Sequence, residues 1–415
     1  MANSFVTPDL VAPMALAQLE NNLVMGKLVY RDIETMYEEA KIGDTVMIRR
    51  PSQYTVNNGN VAVVQDTVIG KTTMTVDQQK NVAIRFTSQE LTLDLDKFNE
   101  QCVKPAMIQL ANKIDYAIME EAALHTYNWV GTPGQTINSF TDFIKGPERL
   151  DEFAVPNDGN RVAVFSPADY WGMVGGFGNG ANFFQPDITK SAVERAKLPM
   201  LGGVDAYMSQ NVVTHTIGAA AGTPRIDGDN QNVTYASVKD TNYLSQTLIT
   251  DGWTGGQVLK KGDVFTIANV KAVNPVSKAV LPFEQQFVLV SDVTTNANSS
   301  LDTELTISPA IITSGAFQTV NSAPANDALI TYLGTAGTGY RQNLVFHKNA
   351  YALACVPLIL PGGTPSKGRY TKNGFSIRIV ETYDGINDEP MWRFDVLFGV
   401  RAMDPRLATR LSGSS

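Results

Sequence analysis

PAMIQLANKIDYAIMEEAALHTYNW, Pro105–Trp129, is the clearest helix in the sequence. Met107, Leu110, Ala111, Ile114, Ala117 and Ile118 recur at the three- and four-residue spacing that gathers side chains on one helical face. Pro105 sits near the start, where its missing N–H costs no hydrogen bond. The pattern is open upstream: a start as early as Asp96 gives some thirty residues, about 45 Å at 1.5 Å per residue. That is long for a core helix of a globular domain.

The chain before this helix has the opposite character. GDTVMIRRP, Gly43–Pro51, turns to β with Val46 and Ile48 alternating, and Asn58-Gly59 is a tight-turn signal. NVAIRFTSQELTLDL resumes strand character, with Val82, Ile84 and Phe86 alternating with Ala83, Arg85 and Thr87. Between them DTVIGKTTMT, residues 66–75, carries the Gly-Lys-Thr ending of a phosphate-binding loop. The motif needs a glycine at position 65, which is Gln65, and a helix after the lysine, where Thr-Thr-Met-Thr-Val favours a strand. A nucleotide site is excluded. The segment reads as a long two-stranded excursion, marginal in isolation, whose partner surface lies elsewhere on this chain or on another.

MALAQLENNLVMGKLVYRD, Met14–Asp32, places Leu16, Leu19, Leu23, Val24 and Leu28 on one helical face, after a loose arm marked by Pro8 and Pro13. Beyond the long helix, RVAVFSPADYWGMV reads as a strand, Arg161–Phe165, and a helix capped by Ser166 with Pro167 in its first position. GGFGNG reads as a glycine-rich loop, and LGGVDAYMSQNVV as a strand leading into a turn. Composition shifts at Gly222. From there to Gly334 the chain is rich in Thr, Asn and Val, with short strand patterns between turns and no helical period, which suggests a small barrel or sandwich. This insert holds six Lys and Arg against ten Asp and Glu, half the chain's net charge of −8. NLVFHKNAYALACVPLI then returns to the earlier α/β style, and FSIRIVETYDGINDEPMWRFDVLFGVRAMDP closes the chain as two strands around a turn. An all-β module flanked by one α/β style reads as a domain inserted into a domain.

Charged residues make up only 18% of the 415, against roughly 25% in soluble domains. A surface poor in charge loses little solvation on being covered, which suits a protein wrapped by partners. The acidic balance, with a pI near 5.1, argues against tight nucleic-acid binding. Cys102 and Cys355 lie in apolar contexts as expected buried thiols. No basic-plus-apolar leader and no apolar run of about 18 residues is seen, so the expectation is synthesis in the cytoplasm without a membrane span.

No catalytic constellation emerges, and no catalytic, cofactor-binding or metal-ligating residue is assigned. His125, His215 and His347 stand apart, each without a second ligand at metal spacing. DGDNQN, Asp227–Asn232, lacks the glycine and glutamate of a calcium loop, and Ala181 breaks the dinucleotide fingerprint in GGFGNG. Asp384, Asp388 and Glu389 fall in a turn beside Gly385 and Pro390.

The ordered set LENNLVMGKLVYRD, FTSQELTLDLDKF with KPAMIQLANKID, VFSPADY, LGGVDAYMSQNV, LKKGDVFTIANV, NLVFHKNAYALA and FDVLFGVRAMDP resembles the major capsid (coat) proteins of tailed double-stranded-DNA phages. The likeness is to the insertion-domain coat proteins of short-tailed Salmonella-type phages. It implies the α+β Johnson fold shared with herpesvirus capsid proteins. The implied layout is an N-terminal arm at 1–44 reaching a neighbour, and an extended β-hairpin loop at 45–90 lying over an adjacent subunit. A peripheral domain with the spine helix follows at 91–150, then a first axial part at 151–221. The inserted small-barrel domain is 222–334, and 335–415 closes the axial and peripheral domains. Gly70-Lys71 then reads as turn chemistry at the loop tip. Arg49, Arg50, Gln65 and Lys71 are the candidate intersubunit contacts. Some members of the fold cross-link a loop lysine to a neighbour's asparagine, although the insertion-domain relatives generally do not. Implied partners are copies of the chain in pentamers and hexamers, scaffolding, portal and decoration proteins, and packaged DNA bound weakly without sequence specificity. A tail or baseplate structural protein is the alternative.

Overall fold

The computed structural model describes residues 8–31, 45–85, 102–178, 198, 200–299, 301–364, 366–386 and 389–414. They gather into two compact units. The first draws on Met1–Val46, Met74–Met119 and Ala352–Arg401, the second on Met47–Thr73, Glu120–Tyr351 and Ala402–Ser415.

The first unit is built on the strand Glu389–Ala402. Its Trp392, Phe394, Val396 and Phe398 alternate with Met391, Arg393, Asp395 and Leu397, so one face is apolar and largely aromatic and the other mixes charged and apolar residues. The strand pairs antiparallel with Phe375–Asp384 on one side and with Gln78–Arg85 on the other, Phe394 standing opposite both Ile379 and Val82. Ser366–Lys372 extends the sheet beyond Phe375–Asp384. The strand Gln78–Arg85 is therefore part of this sheet rather than of a free excursion.

A helix at Pro8–Asn22 packs on Ser366–Lys372 and Phe375–Asp384, burying Val11, Ala12, Ala15, Leu16 and Leu19. It begins before Met14 and carries Pro13 inside it, where a loose arm was the expectation. Proline there forfeits one backbone hydrogen bond. The buried stripe outweighs that local loss, and Pro8 already stands at the first helical position. Residues 8–31 thus pack on their own chain, and Gly43-Asp44 and the rest of 32–44 lie outside the described residues.

The long helix runs Lys104–His125, about 33 Å at 1.5 Å per residue. Met107, Leu110, Ala111, Ile114, Ala117 and Ile118 are all buried, as the spacing requires. The earlier start at Asp96 lies outside the described residues.

In the second unit a five-stranded sheet has the order Trp129–Val130, Ala408–Leu411, Asn343–His347, Arg161–Phe165, Asp205–Met208. Its three middle strands are buried along their whole length, which is why they read as runs rather than alternations. Ser166 caps the helix Pro167–Gly178: its hydroxyl accepts from the Asp169 N–H at 3.2 Å and donates to Asp169 Oδ2 at 2.5 Å. This helix continues through Gly175-Gly176-Phe177-Gly178, part of the expected loop. Gly176 permits it, because a Cβ there would collide with the backbone oxygen of Asn138.

Residues 222–332 form a separate six-stranded sheet, in the order Ile330–Tyr332, Val264–Val273, Val280–Leu289, Thr303–Ser308, Gln246–Trp253, Gly222–Ile226. An Arg225–Leu329 bridge brings its two end strands together, so the sheet is a nearly closed small barrel. Leu248, Trp253, Phe265, Phe287, Leu305 and Ile307 fill it.

Candidate assembly surface

The segment between the strands Thr45–Arg49 and Lys71–Thr75 leaves the second unit as a loop. At its far part Gly59 takes a positive φ of 113°, the turn expected at Asn58-Gly59. Four valines of this segment are exposed: Val56 at 95%, Val64 at 91%, and Val61 and Val63 as well. Exposed apolar residues so close in sequence set this segment apart from the charged and polar surface around it.

The base of the loop is fastened to the barrel module. Arg50 donates to the carbonyl oxygens of Lys239 (3.2 Å) and Thr241 (3.0 Å), and its own N–H donates to Gly70 O at 2.8 Å. Burial pushes the Arg50 guanidinium below the usual arginine range, against the raising effect of Asp404. The Lys71 N–H donates to Lys239 O (3.2 Å), and Thr73 donates from N–H and hydroxyl to Asn242 Oδ1 at 3.2 and 3.0 Å. Gly70 is buried, with an added Cβ falling 2.5 Å from Tyr235 Oη and 2.6 Å from Lys239 O. This corrects the loop-tip reading of Gly70-Lys71. Gly70 is the contact point at the base, and it needs to be glycine for close approach rather than for φ freedom. Lys71, half-buried in a strand, is likewise at the root and not at a reaching tip.

Gln65 works inside the loop. Its amide donates to Thr55 O (2.6 Å) and accepts from the Thr55 N–H (2.9 Å) and hydroxyl (3.0 Å), replacing a backbone ladder between the two limbs. Tyr54 and Thr67 hydroxyls meet at 3.1 Å beside it. Of the four candidates, Arg49 is the exposed one; Arg50, Gln65 and Lys71 are half-buried.

A cavity of about 240 Å³ opens beside the base, lined by Arg50, Tyr127, Tyr235, Tyr243, Phe317 and Arg406 among others. Arg406 is held by Asp404 at 2.6 Å, and Gln53 turns its amide oxygen to Arg406 Nη1 (2.9 Å) and its nitrogen to Ala316 O (2.7 Å). The sequence offered no signal for Tyr235, Asn242 or the Lys239 carbonyl, because backbone acceptors leave no pattern in residue types.

The histidines are structural. His125 stacks on Tyr243 at 3.8 Å, His215 Nε2 lies 2.8 Å from Asp263, and His347 Nε2 lies 3.0 Å from Asp158. Among the described residues no three His, Cys, Asp or Glu side chains gather as a metal-holding group, and no helix is long and apolar enough to cross a membrane. Cys355 is buried as expected, whereas Cys102 is only half-buried. Glu389 lies in a strand, paired with Arg85 at 3.0 Å, and Asp388 is outside the described residues.

The chain thus combines a nearly closed barrel, inserted in a mixed α+β chain, with an exposed apolar loop clamped at its root. The family model described as "P22 coat protein - gene protein 5" matches residues 3–413, and the chain belongs to that family. A major capsid protein of Acyrthosiphon pisum secondary endosymbiont phage 1 is 23% identical over 435 residues, covering all of both chains. Among solved structures, Mycobacterium phage Che8 is matched over 94% of this chain and 90% of that one, at 12% identity and a TM-score of 0.48. The CUS-3 coat protein I-domain is matched over 28% of this chain and 98% of its own length, at 23% identity and a TM-score of 0.20. The protein is a bacteriophage major capsid protein: copies of it form the icosahedral shell of the virion, a structural role. The family decides for the shell over the tail or baseplate alternative.

Proposed function

We propose that the loop 50–70 is the element by which each subunit grips the next. The observation that carries this reading is the exposed Val56, Val61, Val63 and Val64 on a base anchored by Arg50. An apolar tip alone would favour indiscriminate association; a fixed root aims it, so that less ordering entropy is lost on contact. Arg49 serves as a contact to the adjacent subunit, while Arg50, Gln65 and Lys71 hold the loop in shape.

The layout follows the family: arm, extended loop, peripheral domain with the long helix as spine, axial domain, and the barrel as an inserted domain. Subunits gather as pentamers and hexamers with scaffolding protein into a procapsid, around a portal, and mature with packaged double-stranded DNA, which is held weakly. Decoration protein joins the outer surface. Synthesis and assembly occur in the host cytoplasm. Many weak contacts per subunit suffice, since each raises the effective concentration for the next, and weak ones let misplaced subunits leave.

The test is Val61→Ser/Val63→Ser/Val64→Ser, followed by light scattering and negative-stain electron microscopy with scaffolding protein. The expected result is a chain as stable as the parent that assembles slowly or not at all. Closed shells at the parent's rate would overturn the role given to the loop.

A further inference from the structure

We infer that the cavity beside the loop root is a binding site for a small aromatic anion, a two-ring carboxylate or sulfonate. The site goes beyond shell formation and stands whether or not the loop grips a neighbour.

Three parts of the second unit wall this cavity: Arg50 comes from the loop root, Tyr235, Val273 and Phe317 from the barrel module, and Tyr127 and Phe153 from the body around it. The rings are braced by one another. Tyr235 stacks on Phe317 with 3.4 Å between centroids, and Tyr127 meets Phe153 edge-on at 6.3 Å. Rings braced in pairs have little freedom to turn into the space between them, so the site is preformed, as ligand sites usually are. An apolar cavity of about 150 Å³ holds benzene. At about 240 Å³ this one has room for two fused rings.

One end of the cavity is cationic. Of the charged residues on its wall, three are arginines, Arg49, Arg50 and Arg406, and one is acidic, Asp404. Asp404 is already taken by Arg406, through Nε at 2.9 Å and Nη2 at 2.6 Å. Arg50 meets neutral oxygens instead. Two of its five N–H groups go to the Lys239 and Thr241 carbonyls, which leaves three without a partner among the described residues. A guanidinium drawn partly out of water in this way gains most from a carboxylate or sulfonate, which takes two parallel hydrogen bonds and supplies the missing charge.

The Tyr127 hydroxyl calls for the same occupant. Tyr127 is 2% exposed and lines the cavity, and its hydroxyl has no hydrogen-bond partner among the described residues. Burial pushes this hydroxyl above the usual tyrosine range, against the lowering effect of Arg406, so it stays protonated and donates. A buried donor left unpaired is costly, and an anion at the arginine end would pair it. Water could satisfy the donors but gains nothing from the aromatic walls. A flat apolar body with an acidic end satisfies both. Seated there, it touches loop root, barrel module and body at once, and binding to the folded chain alone stabilises their packing.

The experiment titrates the full chain, below its assembly concentration, with 2-naphthoate in a calorimeter. The expected result is one site per chain with a Kd of about 1 mM or tighter, the range open to a ligand of about 13 non-hydrogen atoms. 2-Naphthamide keeps the shape without the charge, and inorganic sulfate the charge without the rings; each should bind at least about tenfold more weakly. Tyr127→Phe should unfold at the parent's temperature, having lost no hydrogen bond, yet bind naphthoate about tenfold more weakly. Gln318→Trp, which puts an indole on a half-buried part of the wall, should abolish binding. Lys260→Gln/Lys261→Gln, which removes cations elsewhere on the module, should bind as the parent does. No saturable binding by the parent overturns the proposal. So does naphthamide or sulfate binding as tightly as naphthoate, or an unchanged Kd in Tyr127→Phe. Naphthoate bound by Gln318→Trp at the parent's affinity would put the ligand elsewhere on the chain and overturn it too. Shell formation plays no part in the readout, so failure of the loop's assembly role leaves this result untouched.

Discussion

Asp115 Oδ2 accepts the backbone N–H of Val24 at 2.7 Å, joining the long helix to a segment 91 residues earlier. Oδ1 accepts from the Gly26 N–H at 3.0 Å, so one buried carboxylate holds the short turn of helix Met25–Leu28 in place. Burial pushes its pKa up to about 6, against the lowering effect of these N–H groups. The folded chain therefore binds a proton that the unfolded chain, near the ordinary 3.8, does not. Through this group, stability rises as pH falls from about 7 through 6, and levels off below the unfolded value. Urea unfolding at pH 7, 6 and 5 should show this slope in the parent and lose it in Asp115→Asn. Asp115→Ala, which strands two buried N–H groups, should cost about 2–4 kcal/mol. Parallel pH profiles in parent and Asn variant would remove Asp115 from the account.

Gly70→Ala should disrupt the loop root, because the new Cβ meets both Tyr235 Oη and the Lys239 carbonyl. Overpacking of this kind costs about 1–3 kcal/mol. Gly70→Ala/Tyr235→Phe removes one of the two collisions and should recover part of the loss. Thermal unfolding of the three chains decides it, and no recovery would place the strain at Lys239 alone.

Arg50→Gln deletes the guanidinium donors to the Lys239 and Thr241 carbonyls, of which Lys239 keeps the Lys71 N–H. The expected cost is about 1–3 kcal/mol, with residues 51–69 becoming the preferred site of limited proteolysis. Mass spectrometry of the first cleavage products reads this directly. Cleavage elsewhere first, at the parent's rate, would show that the root does not depend on Arg50.

Phe287→Ala empties a fully buried site in the barrel beside Phe265 and Leu289. It should cost about 3–5 kcal/mol. Urea unfolding of the two chains measures it. A loss under 1 kcal/mol would mean that the module collapses around the cavity.

What could be read from residues alone was whatever a local period or cap encodes. The buried face of Lys104–His125, the Ser166 cap, the strand Arg161–Phe165 and the alternation in Glu389–Ala402 each follow from neighbours within a few positions. The β character of 222–334 was legible from turn spacing, and the family resemblance from the ordered stretches along the chain. The helix at Pro8–Asn22 was misplaced because Pro13 argues locally for a break, while burial of Val11, Leu16 and Leu19 is a property of the sheet beneath.

The rest was settled by segments far apart in sequence. Nothing near Gly70 announces Tyr235 or the Lys239 carbonyl, so its glycine looked like turn chemistry until the collision was measured. Gln78–Arg85 carries a strand pattern, yet its partner lies some three hundred residues away, and pairing depends on complementary faces rather than on spacing. That Arg369 stands opposite Arg378 is likewise invisible until the register is known. By itself the sequence determined which segments would be helix, strand or barrel module, because backbone geometry repeats over a few residues. Only the tertiary structure decided which backbone atoms and charges those segments would bring together, because that depends on packing between surfaces the chain order does not relate.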